Sequence, residues 1–466
     1  KFTRCVAEDG CAFVFIGAYV CYNRTIDLQV TLPATSQPTG YVHTMTSPEN
    51  PSFSNFASGV TTETAFDVLA IAKQLKAQGK TVIELEIGDS PFPSTANAVA
   101  AGIQAIKDDQ CHYGPSIGIP DFREAVAEYV NDEYGLDVLA ENVTAGPGAK
   151  IFETLFCEAF IDSDDGVLVF SPYFPTYPPN IERRGGRIVY SELRQENAFR
   201  PNIQDVADFV NSDPKPKAIF LNSPHNPTGG VTTEEDLEAI ANLIRGKNII
   251  VFSDEPYDQM AWQGQHHSLL AQPGMLDQCL ACYTFSKSFS MSGWRLGYAV
   301  GSKRMIDMIA KLTNSTLSCV PPFVQIAGAA ALRNDRRERD DTMAVFQERV
   351  VSLATKLNEL DGVECLIPGG TFYVFPNVSE ICNRHDITSH GLAMYLLTAA
   401  DDDFGVACLG GECFGAAGHG FLRFSTAEPP ELIEQAFEFL PNAWNQVEKI
   451  KQFVNDNPKF KLESPY

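Results

Sequence analysis

From Ala65 onward the chain alternates between two hydrophobic periods. In "AFDVLAIAKQLKAQG" apolar residues recur every three or four positions, so the spacing predicts a helix over 65–79 closed by Gly79. "TVIELEIGD" then alternates and reads as a strand. "IPDFREAVAEYVNDEYG" predicts a helix beginning after Pro120, and "GAKIFETLFCEAFI" predicts another, opened by Gly146, Pro147 and Gly148. Short apolar runs follow: "GVLVFSP", "GRIVY", "KAIFLNSP", "NIIVFSDEPY", "CLACYTFSK" and "GYAVG". Helical segments such as "EEDLEAIANLIR" lie between several of them. Strands alternating with helices predict an α/β fold with a mostly parallel sheet covered on both faces. No internal repeat is visible.

Beyond about residue 330 the pattern changes. A long polar helix, "RRERDDTMAVFQERVVSLATKLNEL", leads to "VECLIPGGTFYVFPNV" and later to "GFLRFSTA". The expected organisation is a large domain over 96–330 and a small α+β domain built from 62–95 and 331–466, the two segments that flank it. Residues 1–61 read as a poorly ordered N-terminal extension. Its apolar run at 11–22 is only 12 residues long, short for a membrane span. Glu8 and Asp9 precede that run, where a signal peptide would carry positive charge.

Length and charge narrow the classes. A chain of 466 residues exceeds one ordinary core. Thirty-five Lys and Arg against 59 Asp and Glu give a net charge of −24, which repels phosphodiester backbones and anionic lipid. The reading therefore includes no nucleic-acid and no membrane partner. Twelve cysteines are scattered, and the single CxxC, "CLAC" at 279–282, sits in an apolar run without a second pair or a nearby histidine. Buried strand thiols in a reducing cytoplasm are expected there, and no metal site.

In parallel-sheet proteins ligands sit beyond the C-terminal ends of strands. "FLNSPHNPTGG" puts Asn226 after one strand, "VFSDEPY" puts Asp254 and Tyr257 at the next, and "YTFSK" ends on Lys287. Arg295 follows eight residues after Lys287 in a Ser- and Gly-rich turn. Singly, each has a plain structural reading: a turn asparagine, a capping aspartate, a surface lysine, a salt-bridge arginine. Together, in this order, they suggest one pocket.

The order of "YGPSIGIPDFREAVA", "SPHNPTGG", "SDEPY", "SKSFSMSGWRLGY" and "GFLRFS" resembles the class I/II aminotransferases, over roughly residues 62–445. These are pyridoxal 5′-phosphate (PLP) enzymes of fold type I. The resemblance implies a large domain with a mainly parallel seven-stranded sheet, a small domain built from both chain ends, and a homodimer. It implies that Lys287 joins the cofactor aldehyde through its amine, that Arg295 clamps the phosphate, and that Thr284 and Ser286 bring hydroxyls to it. Asp254 would face the pyridine nitrogen, and Asn226 and Tyr257 the phenolic oxygen. The amides of Gly148, Ala149 and Lys150 would cradle phosphate at a helix N-terminus. Phe174 would stack on the ring, with Tyr173 as the competing choice. Arg423 would grip the substrate α-carboxylate, with the backbone of Gly88 and Asn226 nearby. Tyr113 would cross a dimer interface to the neighbour's phosphate.

The implied reaction moves an amino group between an L-amino acid and a 2-oxo acid, with aspartate suggested first by "FSMSGWRLGY" and aromatic amino acids or alanine next. Two departures, "GDSPF" and "LGGECFG", lie on the substrate side. A PLP-dependent lyase would share nearly every residue named, and ammonia release would reveal it. A PLP-sensing regulator would need a DNA-binding domain, and residues 1–60 show neither a helix-turn-helix pattern nor a basic patch. A scaffolding relative with a dead site is at odds with intact Lys287, Asp254 and Arg423.

Overall fold

The apolar runs in the middle of the chain form the main sheet. The computed structural model describes residues 51–60 and 63–466, so the expectation for the extension 1–61 lies outside the described residues except at 51–60. In chain order the first elements are α1 (Asn55–Gly59), α2 (Thr64–Ala77), β1 (Thr81–Glu84), α3 (Ala96–Lys107), α4 (Pro120–Tyr134), β2 (Val143–Gly146) and α5 (Lys150–Phe160). Next come β3 (Gly166–Ser171), α6 (Tyr177–Glu182), β4 (Arg187–Glu192), α7 (Ile203–Ser212), β5 (Pro216–Asn222), α8 (Glu234–Ile244), β6 (Ile250–Asp254), β7 (Cys279–Thr284) and β8 (Gly297–Val300). The helices α9 (Lys303–Leu317), α10 (Pro322–Asn334) and α11 (Arg336–Leu357) lead to four short strands: β9 (Tyr373–Val374), β10 (Phe404–Ala407), β11 (Leu409–Gly410) and β12 (Leu422–Ser425).

The seven-stranded sheet has the order β2-β8-β7-β6-β5-β3-β4. Only β8 runs against the others. Side chains of successive residues enter opposite cores, as strand geometry requires. Along β3, Leu168 and Phe170 join one core and Val167 and Val169 the other; along β5 the same holds for Ile219 and Leu221 against Ala218 and Phe220. The helices α4, α7, α8 and α10 cover the first face with Phe122, Phe209, Ile240 and Leu332. The helices α5, α6 and α9 cover the second with Phe156, Ile181 and Ile306. Cys279 and Cys282 are buried in β7, and burial holds both thiols well above their ordinary range.

Beside this sheet, β1 pairs in parallel with β10, and β11-β12-β9 form a small antiparallel sheet. The two are stitched together where the Ser425 amide donates to Leu85 O at 2.7 Å. Their core runs through Phe346, Phe372, Tyr395 and Trp444. Residues Asn55–Tyr466 form one compact unit.

Three elements differ from the sequence expectation. The strand expected over "TVIELEIGD" ends at Glu84, because β10 ends at Ala407; Leu85 still donates to Ala407 O, and the chain then leaves the sheet. The edge strand β2 was not expected, since "VTAG" is too short for alternation to register. The helix α4 includes Pro120, whose missing N–H costs nothing in the first turn.

Candidate active site

Register brings the phosphate-type residues together. Thr284, at the end of β7, pairs with Gly297 at the start of β8, and Gly297 also pairs with Gly146 at the end of β2. The turn before α5, the hydroxyls after β7 and Arg295 therefore meet at one corner. Chain segments approach so closely here that a Cβ on Gly297 would lie 2.5 Å from Tyr283 O and 2.7 Å from the Gly148 carbonyl carbon. Gly148 has φ +87°, and its Cβ would lie 2.6 Å from the Arg295 guanidinium. One step along the sheet, Asn222 at the end of β5 pairs with Asp254 at the end of β6, and the Asn222 side chain bonds both Asp254 O (2.8 Å) and the Asn226 amide (2.9 Å).

These tips open into a cavity of about 400 Å³. Asn226, Asp254, Tyr257, Thr284, Ser286 and Lys287 line one part of it. Gly88, Ala149, Lys150, Phe174, Arg295 and Arg423 line it as well, with Glu63, Glu86, Asp89 and Glu153 among the other lining residues. Gly148 lies just behind, under Arg295. Tyr113 stands apart from the cavity, 90% exposed on a loop of the single chain. Tyr173 is also outside it, its amide bonded to Phe414 O and its ring stacked on Tyr190. A second cavity, of about 420 Å³ beside Arg200 and Pro368, touches none of these residues.

Three cations of the site rest on neutral oxygens. Lys287 Nζ donates to Gly88 O. Arg295 donates to Ser292 O (2.8 Å) and Pro147 O (3.0 Å). Arg423 donates to the Asn226 side-chain oxygen (3.0 Å) and Glu86 O (2.5 Å), lies 4.2 Å over the Tyr373 ring, and leaves Nε without a partner among the described residues. Carbonyls orient these groups without cancelling their charge, so the cavity is prepared for anions.

The opposite sign is buried at its base. Asp254 accepts from the Tyr177 hydroxyl at 2.5 Å, and Glu153, on α5, accepts from Thr176 at 2.5 Å. Burial pushes both carboxyls up; the Asp254 charge adds to the rise at Glu153, and the Glu255 charge adds to it at Asp254. Burial also holds the Tyr257 phenol well above its ordinary range, so it stays protonated and donates, here to Tyr373 at 3.3 Å.

Several cavity residues escaped sequence reasoning. Tyr373, and Tyr177 behind Asp254, occupy strand or helix positions that read as core, and Glu153 a helix position that reads as solvent-facing. Asn222 was within reach, since it sits in the quoted strand tip four residues before Asn226. Glu86 is fully buried, and neither carboxyl oxygen is hydrogen-bonded to another described residue. Burial pushes it from an ordinary 4.5 up to about 7; its own amide, Arg423 and Lys76 oppose the rise, and Glu84 adds to it. A raised carboxyl pKa means that the folded state binds more protons than the unfolded chain. Stability carried by the protonated form is complete below pH 4.5 and is lost up to about pH 7, a sum of about 3 kcal/mol. Glu86→Gln removes this loss. In urea unfolding at pH 5, 6, 7 and 8, the variant's advantage over wild type should grow with pH and level off above 7. An advantage independent of pH contradicts a buried, unpartnered carboxyl.

Comparison with known proteins fits this geometry. The family model for aminotransferase class I and II matches residues 80–440. Aspartate aminotransferase of Bacillus subtilis is 30% identical over 403 residues, covering 85% of this chain and 97% of that protein. The structure of Thermus thermophilus aspartate aminotransferase with maleate superimposes with a TM-score of 0.78 at 30% identity, covering 84% of this chain and 100% of that one. An alanine aminotransferase from Pyrococcus furiosus superimposes with a TM-score of 0.76 at 28% identity, over 85% of this chain and 100% of that one. With a family match that spans both the main sheet and the Arg423 strand, the chain belongs to the class I and II aminotransferases.

Proposed function

We propose that the cavity binds PLP and moves an amino group between a dicarboxylic L-amino acid, aspartate first, and a 2-oxo acid. One observation carries the reading: Lys287, Asp254, Asn226, Tyr257, Arg295 and Arg423 line one cavity. The donor set fits the cofactor part by part. The glycine-lined corner beneath Arg295, with the amides of Gly148, Ala149 and Lys150 and the hydroxyls of Thr284 and Ser286, offers a dianion cation, amides and hydroxyls at a helix N-terminus. Phe174 supplies a ring face. The buried Asp254 carboxyl suits a ring nitrogen that carries a proton. When bound, PLP supplies an electron sink for the pair left at the substrate Cα.

The chain's own residues do the rest. The Lys287 amine takes and returns the proton at Cα, and Gly88 O holds that amine in place between uses. Asn226 and the protonated Tyr257 phenol donate to an anionic oxygen on the ring. Arg423, fixed by Asn226, Glu86 O and the Tyr373 ring, presents its fork to the substrate α-carboxylate. A Cβ on Gly88 would lie 1.8 Å from the Tyr373 hydroxyl, so glycine keeps this wall open.

Aspartate is favoured because the Bacillus relative and the Thermus structure carry that name, the latter with a dicarboxylate present. The same reading includes the division into 96–330 and 62–95 with 331–466, and a homodimer in which exposed Tyr113 reaches the neighbour's site. It includes a cytoplasmic setting, supported by free thiols among the described cysteines. No described helix is long and apolar enough to cross a membrane.

The test is a panel of L-amino acids in single half-reactions, followed by the change in cofactor absorbance and by the product. Aspartate should give the fastest change, with 2-oxo acid formed and the amino group kept on the cofactor. Release of free ammonia in step with the oxo acid contradicts transfer and supports elimination. A second outcome concerns Arg423. Because every substrate carries an α-carboxylate, Arg423→Ala should lower kcat/KM for all amino acids alike, by about 2–5 kcal/mol of lost binding. Loss for one substrate alone would make Arg423 a side-chain reader.

A further inference from the structure

The segment 86–94 joins the end of β1 to α3 and carries "GDSPF", one of the two departures on the substrate side. Its backbone touches both working ends of the cavity. Glu86 O accepts from Arg423, and Gly88 O accepts from Lys287 Nζ. Between these two carbonyls the segment has no slack. A Cβ on Gly88 would lie 1.8 Å from the Tyr373 hydroxyl, and the Arg423 guanidinium lies 4.2 Å over that same ring. The path of this segment therefore sets how the Lys287 amine stands relative to the Arg423 fork.

A second set of contacts ties the segment to the turn after Lys287. The Ser90 and Ser290 hydroxyls are hydrogen-bonded to each other at 2.7 Å. The Ser94 hydroxyl donates to Ser290 O at 2.8 Å and accepts from the Trp294 indole at 3.1 Å. Ser290 has φ +52°, in the left-handed region that a residue with a Cβ rarely adopts. Its amide donates to Lys287 O at 3.2 Å, so this strained residue closes the turn that carries the lysine. Such a conformation persists only where the surroundings over-determine it. Here the Ser90 and Ser94 hydroxyls supply two of the bonds from another part of the chain. Neither Ser90 nor Ser290 lines the cavity, so the pair acts through its neighbours and not on a ligand.

Resting on the roles proposed above for Lys287 and Arg423, we propose that the Ser90–Ser290 hydrogen bond is a latch that fixes the Lys287 turn to the segment 86–94, and that both serines are positioning residues for proton transfer at Cα. With the latch closed, the amine and the α-carboxylate anchor are held against one stretch of backbone. With it open, the lysine turn can move away from Gly88 O, while Arg423 keeps its bonds to Glu86 O and Asn226. The defect falls on proton transfer and spares binding of the α-carboxylate.

The test compares wild type, Ser90→Ala, Ser290→Ala, the double variant and Ser90→Thr as holoenzymes with aspartate. Each alanine variant should lose about tenfold in kcat, with KM changed by less than about twofold. The double variant should fall no further than either single one, because the same bond is lost only once. Ser90→Thr keeps a hydroxyl and should recover most of the rate, which a general packing defect would not allow. An unchanged kcat in the alanine variants, or losses that multiply in the double variant, overturns the latch. A second reading needs no turnover. In the full chain without cofactor, reductive methylation of Lys287, mapped on peptides and normalised to Lys303, should be faster in all three alanine variants and equal among them. Unchanged labelling overturns the latch even where amino transfer proceeds. Faster labelling in a protein that transfers no amino group supports the latch and contradicts the aminotransfer reading instead.

Discussion

A carboxylate buried without a matching cation is the constraint on which this site is organised. Asp254 ends β6 with its carboxyl inside the protein, and Glu153 approaches it from α5. Tyr177 and Thr176 each contribute one hydroxyl, which satisfies single oxygens but supplies no charge. Lys150, the nearest cation felt by both, is engaged with Glu63. Burying such charge costs several kcal/mol unless it is paired. In the proposed function, a ligand carrying a positive ring nitrogen would relieve that cost, and its phosphate and carboxylate partners would then meet Arg295 and Arg423, which rest on neutral oxygens. Burial shifts both carboxyls toward the neutral form, and in the proposed function a cationic ring nitrogen would draw Asp254 back to its charged form.

Sheet register turns this electrostatic requirement into geometry. Because β5, β6 and β7 are parallel neighbours, Asn222, Asp254 and Thr284 end at nearly one level. The reversed strand β8 returns the chain so that Arg295 and Gly297 arrive beside the end of β2. Arg423 comes from a different sheet, and the Asn226 side chain bridges to it. The cavity thus lies between two cores, and in the proposed function each would supply one end of the ligand's binding groups.

Much of the site was legible in the sequence because its groups sit at strand tips, where a polar residue interrupts an apolar run. Asn226, Asp254, Lys287 and Arg295 stand out for that reason, and their order carried the family resemblance. Glu153, Tyr177, Tyr373 and Glu86 did not stand out. Each lies within a periodic segment, where tyrosine reads as core and glutamate as solvent-facing, and only the fold reveals that these positions face the cavity or a buried wall. Tyr173 and Phe174 are neighbours in one turn, so only backbone geometry separates the cavity ring from the one outside. The brief strands β2, β9 and β11 are set by tertiary pairing rather than by local alternation. Tyr113 is exposed in the single chain, and the task proposed for it requires a second copy.

The most direct test of the central claim is the rate of Cα proton removal in Asp254→Asn, measured in a single half-reaction with saturating PLP. Asparagine keeps the shape and removes the charge. If the buried carboxylate holds the ring nitrogen in its positive form, the rate should fall by about 100- to 5,000-fold, the loss of about 3–5 kcal/mol expected when one partner of a buried pair is removed. The cofactor should still be fixed to Lys287 by borohydride. A rate within about tenfold of wild type, with the cofactor bound, would contradict the account.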